Sequence, residues 1–191
     1  VAYAVQDGGS DWRTIKVADV KSGQPLADEI RWTKFTNIAW VGNEGFLYSR
    51  FAEPRKGEEF QALNENQTLY FHRIGTPQEE DVAVYATPDR PKLGHSAQVT
   101  HDNRWVVITS SEGTDEKHEI NLISISSSRG KLLPVEQWKR RTLVQGLEYD
   151  WQLIEGIGDQ IWFVTNRDAP RLKIVKADLA GEVAIFSDII P

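Results

Sequence analysis

The stretch Asp150-Trp151-Gln152-Leu153-Ile154-Glu155-Gly156-Ile157-Gly158-Asp159-Gln160-Ile161-Trp162-Phe163-Val164-Thr165 decides how this chain is read. Asp150–Glu155 is a moderately apolar strand pattern and Gly156–Asp159 has turn composition. Gln160–Thr165 is a strongly apolar run of β-branched and aromatic residues, as a well-buried strand requires. A polar hairpin follows, then strand patterns at Leu172–Ala177 and Val183–Ser187. The same grammar recurs upstream. One group comprises Thr36–Val41, the turn Gly42–Gly45, Phe46–Phe51, Leu69–Ile74 and Val82–Ala86. Another comprises Ala97–Thr100, the turn His101–Arg104, Trp105–Thr109, Glu119–Ser126 and Pro134–Trp138. Residues 1–32 look like the same unit without its first strand: Val1–Val5, the hairpin Asp7–Trp12, Thr14–Val20 and Glu29–Trp32.

Second strands begin near Val1, Phe46, Trp105 and Ile161. That spacing of roughly 45 to 60 residues, with four strands per unit, is the signature of β-propeller blades. An antiparallel sandwich also has closely spaced strands, but it needs no recurring four-strand grammar. The expected fold is all-β, a β-propeller segment of about three and a half four-stranded antiparallel blades, with boundaries near 1–34, 35–92, 93–143 and 144–191. The charged Glu53–Glu59 and the short polar helix candidate Gln61–Gln67 interrupt one group, so 52–67 reads as a loop insertion. A blade buries its faces only against neighbours. A partial ring is therefore expected to dimerise or aggregate through its open edges.

Composition narrows the function. The 191 residues are 40% hydrophobic and 26% charged, ordinary for a globular chain and incompatible with long disorder. No run approaches the roughly 18 apolar residues of a membrane helix, and a net charge of −6 has the wrong sign for a nucleic-acid backbone. Seven tryptophans call for a fold with repeated large packing positions. With no cysteine, disulfides and thiolate chemistry are excluded, and a periplasmic or secreted parent is expected, with a cytoplasmic one as the alternative. The chain opens on Val1-Ala2-Tyr3-Ala4-Val5 and stops at Ile189-Ile190-Pro191. Such apolar, abrupt ends suggest a piece of a longer protein.

Catalytic motifs are missing from the sequence. There is no Gly-X-Ser-X-Gly, and the nearest segment, Gly8-Gly9-Ser10-Asp11, reads as a hairpin turn. His72, His95, His101 and His118 lack metal-ligand spacing, and neither a P-loop nor a dinucleotide fingerprint occurs. No catalytic residue, metal or cofactor is expected in this span. Glu79-Glu80-Asp81 and Glu116 with Glu119 read as solvated charge runs, and Lys139-Arg140-Arg141 is too short for a nucleic-acid stripe. Asn66-Gln67-Thr68 fits a common glycosylation pattern. Two features stand out: Asp11-Trp12-Arg13 on a hairpin, and Phe35 on the connection after Thr33-Lys34. The hairpin is either a polar turn cluster or a ligand-facing rim; Phe35 either closes packing or lines a pocket.

Several of these residues match a known pattern. Gly9-Ser10-Asp11-Trp12-Arg13-Thr14-Ile15-Lys16, Lys34-Phe35 with Ala39-Trp40, and Leu69-Tyr70-Phe71-His72-Arg73-Ile74-Gly75-Thr76 resemble the propeller of the prolyl oligopeptidase family. Pro88-Asp89-Arg90-Pro91-Lys92, Glu112-Gly113, Glu148-Tyr149-Asp150 and Thr165-Asn166-Arg167 continue the likeness in the same order. It runs over essentially the whole chain and includes the insertion after Phe51. The resemblance implies a seven-bladed propeller that covers a separate α/β-hydrolase domain bearing a Ser-Asp-His triad. Such an enzyme hydrolyses short peptides after proline, and the closed shell excludes folded proteins. The implied partners are that catalytic domain and short proline-containing peptides, with neither nucleic acid nor membrane.

Carried over by residue, Asp11 resembles the propeller aspartate that pairs with an arginine across the domain interface. Such a pair fixes register more than it adds stability. Phe35 resembles the aromatic lining the pocket for the residue upstream of proline. Ser111 and Thr114 stand where animal members supply an arginine and a cysteine, and Gly94 stands where they carry a methionine. A shallower, less apolar wall is expected there. Two rivals remain: a stand-alone propeller acting as a protein-binding scaffold, and a sibling such as oligopeptidase B or an acylaminoacyl peptidase.

Overall fold

A computed structural model of the chain describes residues 1–6, 8–59, 63–127 and 129–190. Among them the strands are β1 (Ala2–Gln6), β2 (Arg13–Ala18), β3 (Pro25–Thr33), β4 (Ala39–Val41), β5 (Gly45–Arg50), β6 (Thr68–Arg73) and β7 (Val82–Tyr85). They continue with β8 (Leu93–Val99), β9 (Trp105–Glu112), β10 (Glu119–Ser124), β11 (Lys139–Val144), β12 (Trp151–Ile157), β13 (Gln160–Thr165), β14 (Lys173–Asp178) and β15 (Ile185–Ile190). They form four separate sheets in the orders β1-β2-β3, β4-β5-β6-β7, β8-β9-β10-β11 and β12-β13-β14-β15. Each sheet is an antiparallel meander of consecutive strands. The first has three strands, as its missing opening strand predicts.

Local chemistry explains the recurrence. In the turns after β4, β8 and β12, one residue is left-handed: Gly42 at φ 53°, Asn103 at 54° and Gly158 at 60°. Only glycine and asparagine adopt that conformation cheaply. Each turn delivers the chain into a second strand that has a neighbour on either edge and packing on its faces. Hence β5 and β9 are buried almost throughout, and β13 alternates. Outer strands β1 and β15 are mostly exposed, and β11 is half exposed with no buried residue.

The chain divides into two compact units, Val1–Ala97 and Gln98–Pro191. In the first, Ile15, Val17 and Ile30 of the β1–β3 sheet pack on Phe46 and Tyr48 of β5, with Trp40 and Tyr70 against them. In the second, Trp105, Val107, Ile120 and Leu122 meet Trp151, Ile161, Phe163 and Val175. Each unit thus buries one sheet face against another. The indole of Trp105 is buried with its N–H donated to the Gly158 carbonyl at 2.8 Å, a use that suits tryptophan.

Several expectations need correction. Pro134–Trp138 is not a strand: Val135–Gln137 form a 3-10 turn, and the strand is Lys139–Val144. Pro134 cannot donate to a ladder, whereas the basic run suits an edge strand, where charge blocks further pairing. The strand expected at Ala97–Thr100 begins at Leu93, because the inward alternation Leu93, His95, Ala97 includes a buried histidine that hydropathy alone passes over. Strand β9 continues to Glu112, so Ser111 is a strand residue. Glu119 is buried and accepts the Gly146 N–H at 2.9 Å, and the Asp81 side chain is fully buried. Neither belongs to a solvated face. Gln61 and Ala62 of the helix candidate lie outside the described residues; 63–67 are not helical.

Candidate functional site

Strand β3 ends where the first unit brings its two singled-out features together. The Thr33 hydroxyl donates to the Arg13 carbonyl at 2.7 Å, pinning the end of β3 to the start of β2. Trp32 is left-handed, at φ 60°, where the β2–β3 register shifts between the Ile15–Ile30 and Arg13–Thr33 pairs. Its ring meets Trp12 edge-on, with centroids 5.5 Å apart. Trp12 also contacts the Phe51 ring at 6.2 Å and donates its indole N–H to the Glu59 carbonyl at 2.7 Å. Hairpin, strand end and insertion converge on one indole.

Lys34 is buried inside this cluster, at 6% exposure. Its Nζ lies 4.2 Å from the Trp12 ring centroid, 5.6 Å from Phe51 and 5.8 Å from Phe35. An ammonium over an aromatic face is stabilised by the ring quadrupole, which partly replaces lost water. Burial pushes the Lys34 pKa below the usual lysine value, and the negative charge of Asp11 pulls it back up in part. Asp11 itself is exposed. Aromatic packing on a buried cation thus holds the Asp11-Trp12 hairpin and the Lys34-Phe35 connection together.

Phe35 projects outward at 61% exposure, with a left-handed backbone at φ 53°. Both features are unfavourable for phenylalanine by itself. Its backbone is held by Gln67, 2% exposed, whose Nε2 donates to the carbonyls of Lys34 at 3.1 Å and Phe35 at 3.3 Å. The Oε1 of Gln67 accepts the His95 backbone N–H at 2.6 Å. Gly94, half-buried in β8, is the residue before His95. In the sequence Gln67 closes an irregular insertion, and only its place two residues before the apolar run Leu69–Phe71 hints at burial.

Ser111 and Thr114 belong to the second unit. Ser111 is half-buried near the end of β9, and Thr114 is exposed in the turn that follows left-handed Gly113. Thus Asp11, Phe35 and Gly94 share the first unit while Ser111 and Thr114 lie in the other. No cluster of three or more histidine or acidic side chains able to hold a metal occurs among the described residues. The exposed chemistry at Asp11 and Phe35 is one carboxylate and one ring, suited to binding rather than to bond breaking.

The family model for the prolyl oligopeptidase N-terminal beta-propeller domain matches residues 1–191. The prolyl endopeptidase of Elizabethkingia meningoseptica is 28% identical over all of this chain and 26% of its own length. A dual function macrocyclase-peptidase of Galerina marginata is 29% identical, again over all of this chain and 27% of its own length. A solved structure from work on two prolyl endopeptidases, concerned with inter-domain dynamics in catalysis and specificity, superposes with a TM-score of 0.88 at 49% identity. It too is covered over 26% of its chain. Prolyl oligopeptidase B of Galerina marginata, bound to a 25mer macrocyclization substrate, gives 0.86 at 27% identity, with 27% of its chain covered. The chain therefore spans about a quarter of the length of these relatives. An all-β meander architecture in four sheets and a match over every residue agree: this chain belongs to the prolyl oligopeptidase N-terminal β-propeller domain family.

Proposed function

We propose that this chain is part of a serine-type prolyl endopeptidase, which hydrolyses short peptides on the C-terminal side of proline. Within that parent it gates access to an α/β-hydrolase domain and lines the substrate pocket. The observation that carries this reading is the exposed ring of Phe35, fixed in a left-handed conformation beside the Asp11 hairpin. Folding alone gains little from an apolar ring left in water, whereas a pocket gains a preformed wall. Asp11 serves as the interdomain carboxylate, and Gly94 makes its own stretch of the pocket wall shallow; Ser111 and Thr114 are substrate-lining positions carried by the second unit. The parent is taken to be periplasmic or secreted, with a cytoplasmic location as the alternative, since a chain without cysteine suits either redox compartment.

The test uses the full-length parent and proline-containing peptides. Residues 1–191 alone are expected to release no product, and the parent to cleave after proline. Phe35→Ala is expected to lower kcat/KM about tenfold for peptides with a large apolar residue upstream of proline, the worth of one partly buried ring. Turnover by the isolated chain, or a parent indifferent to proline, overturns the reading. The macrocyclase-peptidase relative supports a second outcome, in which the parent joins the acyl group to the peptide's own amine. A cyclic product rather than a linear acid, separated by mass, identifies that outcome. Binding of a protein without any turnover by the parent supports a scaffold.

A further inference from the structure

The backbone at Phe35 is held in a conformation its own sequence disfavours, and one buried side chain holds it there. The Gln67 amide is oriented unambiguously. Its oxygen faces a backbone N–H at 2.6 Å, so its nitrogen must face the two carbonyls of Lys34 and Phe35. Two successive carbonyls converging on one amide fix the plane of the intervening peptide, and with it the direction in which the Phe35 ring leaves the backbone. The other end of the amide grips the strand residue next to Gly94. One side chain therefore ties together the backbones at two positions that resemblance assigns to the pocket. Lys34 adds a second tie, since its ammonium sits on Trp12.

We propose that Gln67 is the positioning residue for Phe35, setting how well the pocket takes a large apolar residue upstream of proline. The proposal rests on the pocket role given to Phe35 above. A left-handed aromatic residue relaxes toward ordinary backbone angles once its restraints go. The ring then leaves its place, and ordering it on each binding event costs affinity. The effect falls on KM for substrates that use the ring. Peptides with glycine there lose much less.

The experiment compares two proline-containing peptides, one with a large apolar residue upstream of proline and one with glycine, on the full-length parent. Gln67→Glu keeps the acceptor for His95 but turns an oxygen toward two carbonyls; Gln67→Met keeps the size and removes both bonds. Each is expected to lower the apolar-to-glycine ratio of kcat/KM about fivefold, the worth of one ordinary net hydrogen bond, with the change carried in KM. Phe35→Ala lowers the same ratio. Equal losses on both peptides, tracking a lower Tm, assign Gln67 a merely structural role and overturn the proposal. A ratio moved by Phe35→Ala but by neither Gln67 variant overturns it alone. A ratio unmoved by Phe35→Ala overturns the pocket reading beneath it.

Discussion

The imidazole of His72 lies 2.7 Å through Nδ1 from the carboxylate of Asp81, and both side chains are fully buried. Its other nitrogen, Nε2, is 3.0 Å from Asp28. A neutral ring would turn a lone pair toward one of these carboxylates, so the arrangement calls for an imidazolium with two donors. The Tyr48 hydroxyl donates to Asp81, and the Gly75 N–H donates to Asp28 at 2.6 Å. The network joins β3, β5, β6 and the segment entering β7 beneath the apolar cluster of the first unit. Burial pushes the Tyr48 hydroxyl pKa up, and the bond to Asp81 raises it further.

Stability should depend on the His72 proton. Burial pushes its pKa down, but the hydrogen bonds and charges of Asp81 and Asp28 outweigh this and leave it above the usual 6.5. A group whose folded pKa is raised contributes fully below the unfolded value and loses its contribution as pH rises through the folded value. The urea midpoint should therefore fall as pH is raised from about 6 through the folded pKa, and His72→Gln should abolish that slope. Removing the cation leaves two buried carboxylates uncompensated, at a cost of about 3–5 kcal/mol. A pH-independent midpoint in the unaltered protein contradicts the charged assignment.

Two glycines are required for different neighbours. A Cβ at Gly45 would lie 2.0 Å from the His72 carbonyl oxygen, which the β5–β6 ladder holds in place. A Cβ at Gly156 would lie 2.4 Å from the Thr100 methyl. Either alanine substitution should cost about 1–3 kcal/mol through overpacking. Thr100→Ser keeps the hydroxyl that donates to Asp102 at 2.7 Å and removes the methyl, so it should recover part of the Gly156→Ala loss. No side-chain truncation recovers Gly45→Ala, because the obstacle there is backbone. A double-mutant cycle read by urea unfolding checks both; additive effects of Gly156→Ala and Thr100→Ser refute the contact.

The charge of Asp11 should be felt in the titration of Lys34. Burial lowers the Lys34 pKa and the field of Asp11 raises it, so Asp11→Asn is expected to move the Lys34 midpoint further down. NMR titration of the Lys34 side chain reads this directly. An unmoved midpoint separates the Asp11 carboxylate from the aromatic cluster. A lysine whose folded pKa is depressed makes stability rise with pH between the folded value and the usual 10.5. The variant should widen that window.

Arg141 clamps the second unit. Its guanidinium donates to the carbonyls of Leu179 and Gly181 at 3.3 Å and of Glu182 at 3.1 Å, tying β11 to the β14–β15 turn. A lysine keeps the charge but not the fork, so Arg141→Lys should cost about 1–2 kcal/mol. Unfolding with no loss beyond that of an exposed Arg171→Lys control contradicts the clamp.

Much of the architecture was legible because it is local. Alternation, left-handed turn residues and buried second strands write themselves into composition, and Gln160–Thr165 is apolar for the same reason that β13 has neighbours on both edges. Legibility failed where polar residues sit inside. Asp28, His72 and Asp81 are far apart in the chain and chemically ordinary one by one. The charge run groups Asp81 with exposed Glu79 and Glu80, and nothing in such a run says which member turns inward. The basic edge strand is hidden for the related reason that the partners of Arg141 are carbonyls distant in sequence.

The site divides along the same line. Asp11 and Phe35 could be singled out from the chain itself, because an acid beside tryptophan on a hairpin and a lone aromatic on a connection are visible as residues. That Lys34 sits on Trp12, that Gln67 holds the Phe35 backbone, and that Gly94 adjoins the same amide were decided by tertiary structure alone. Repeating strand order depends on neighbours in sequence, so a linear text can carry it. A hydrogen bond across 32 residues depends on where the sheets come to rest, and only the packed chain determines that.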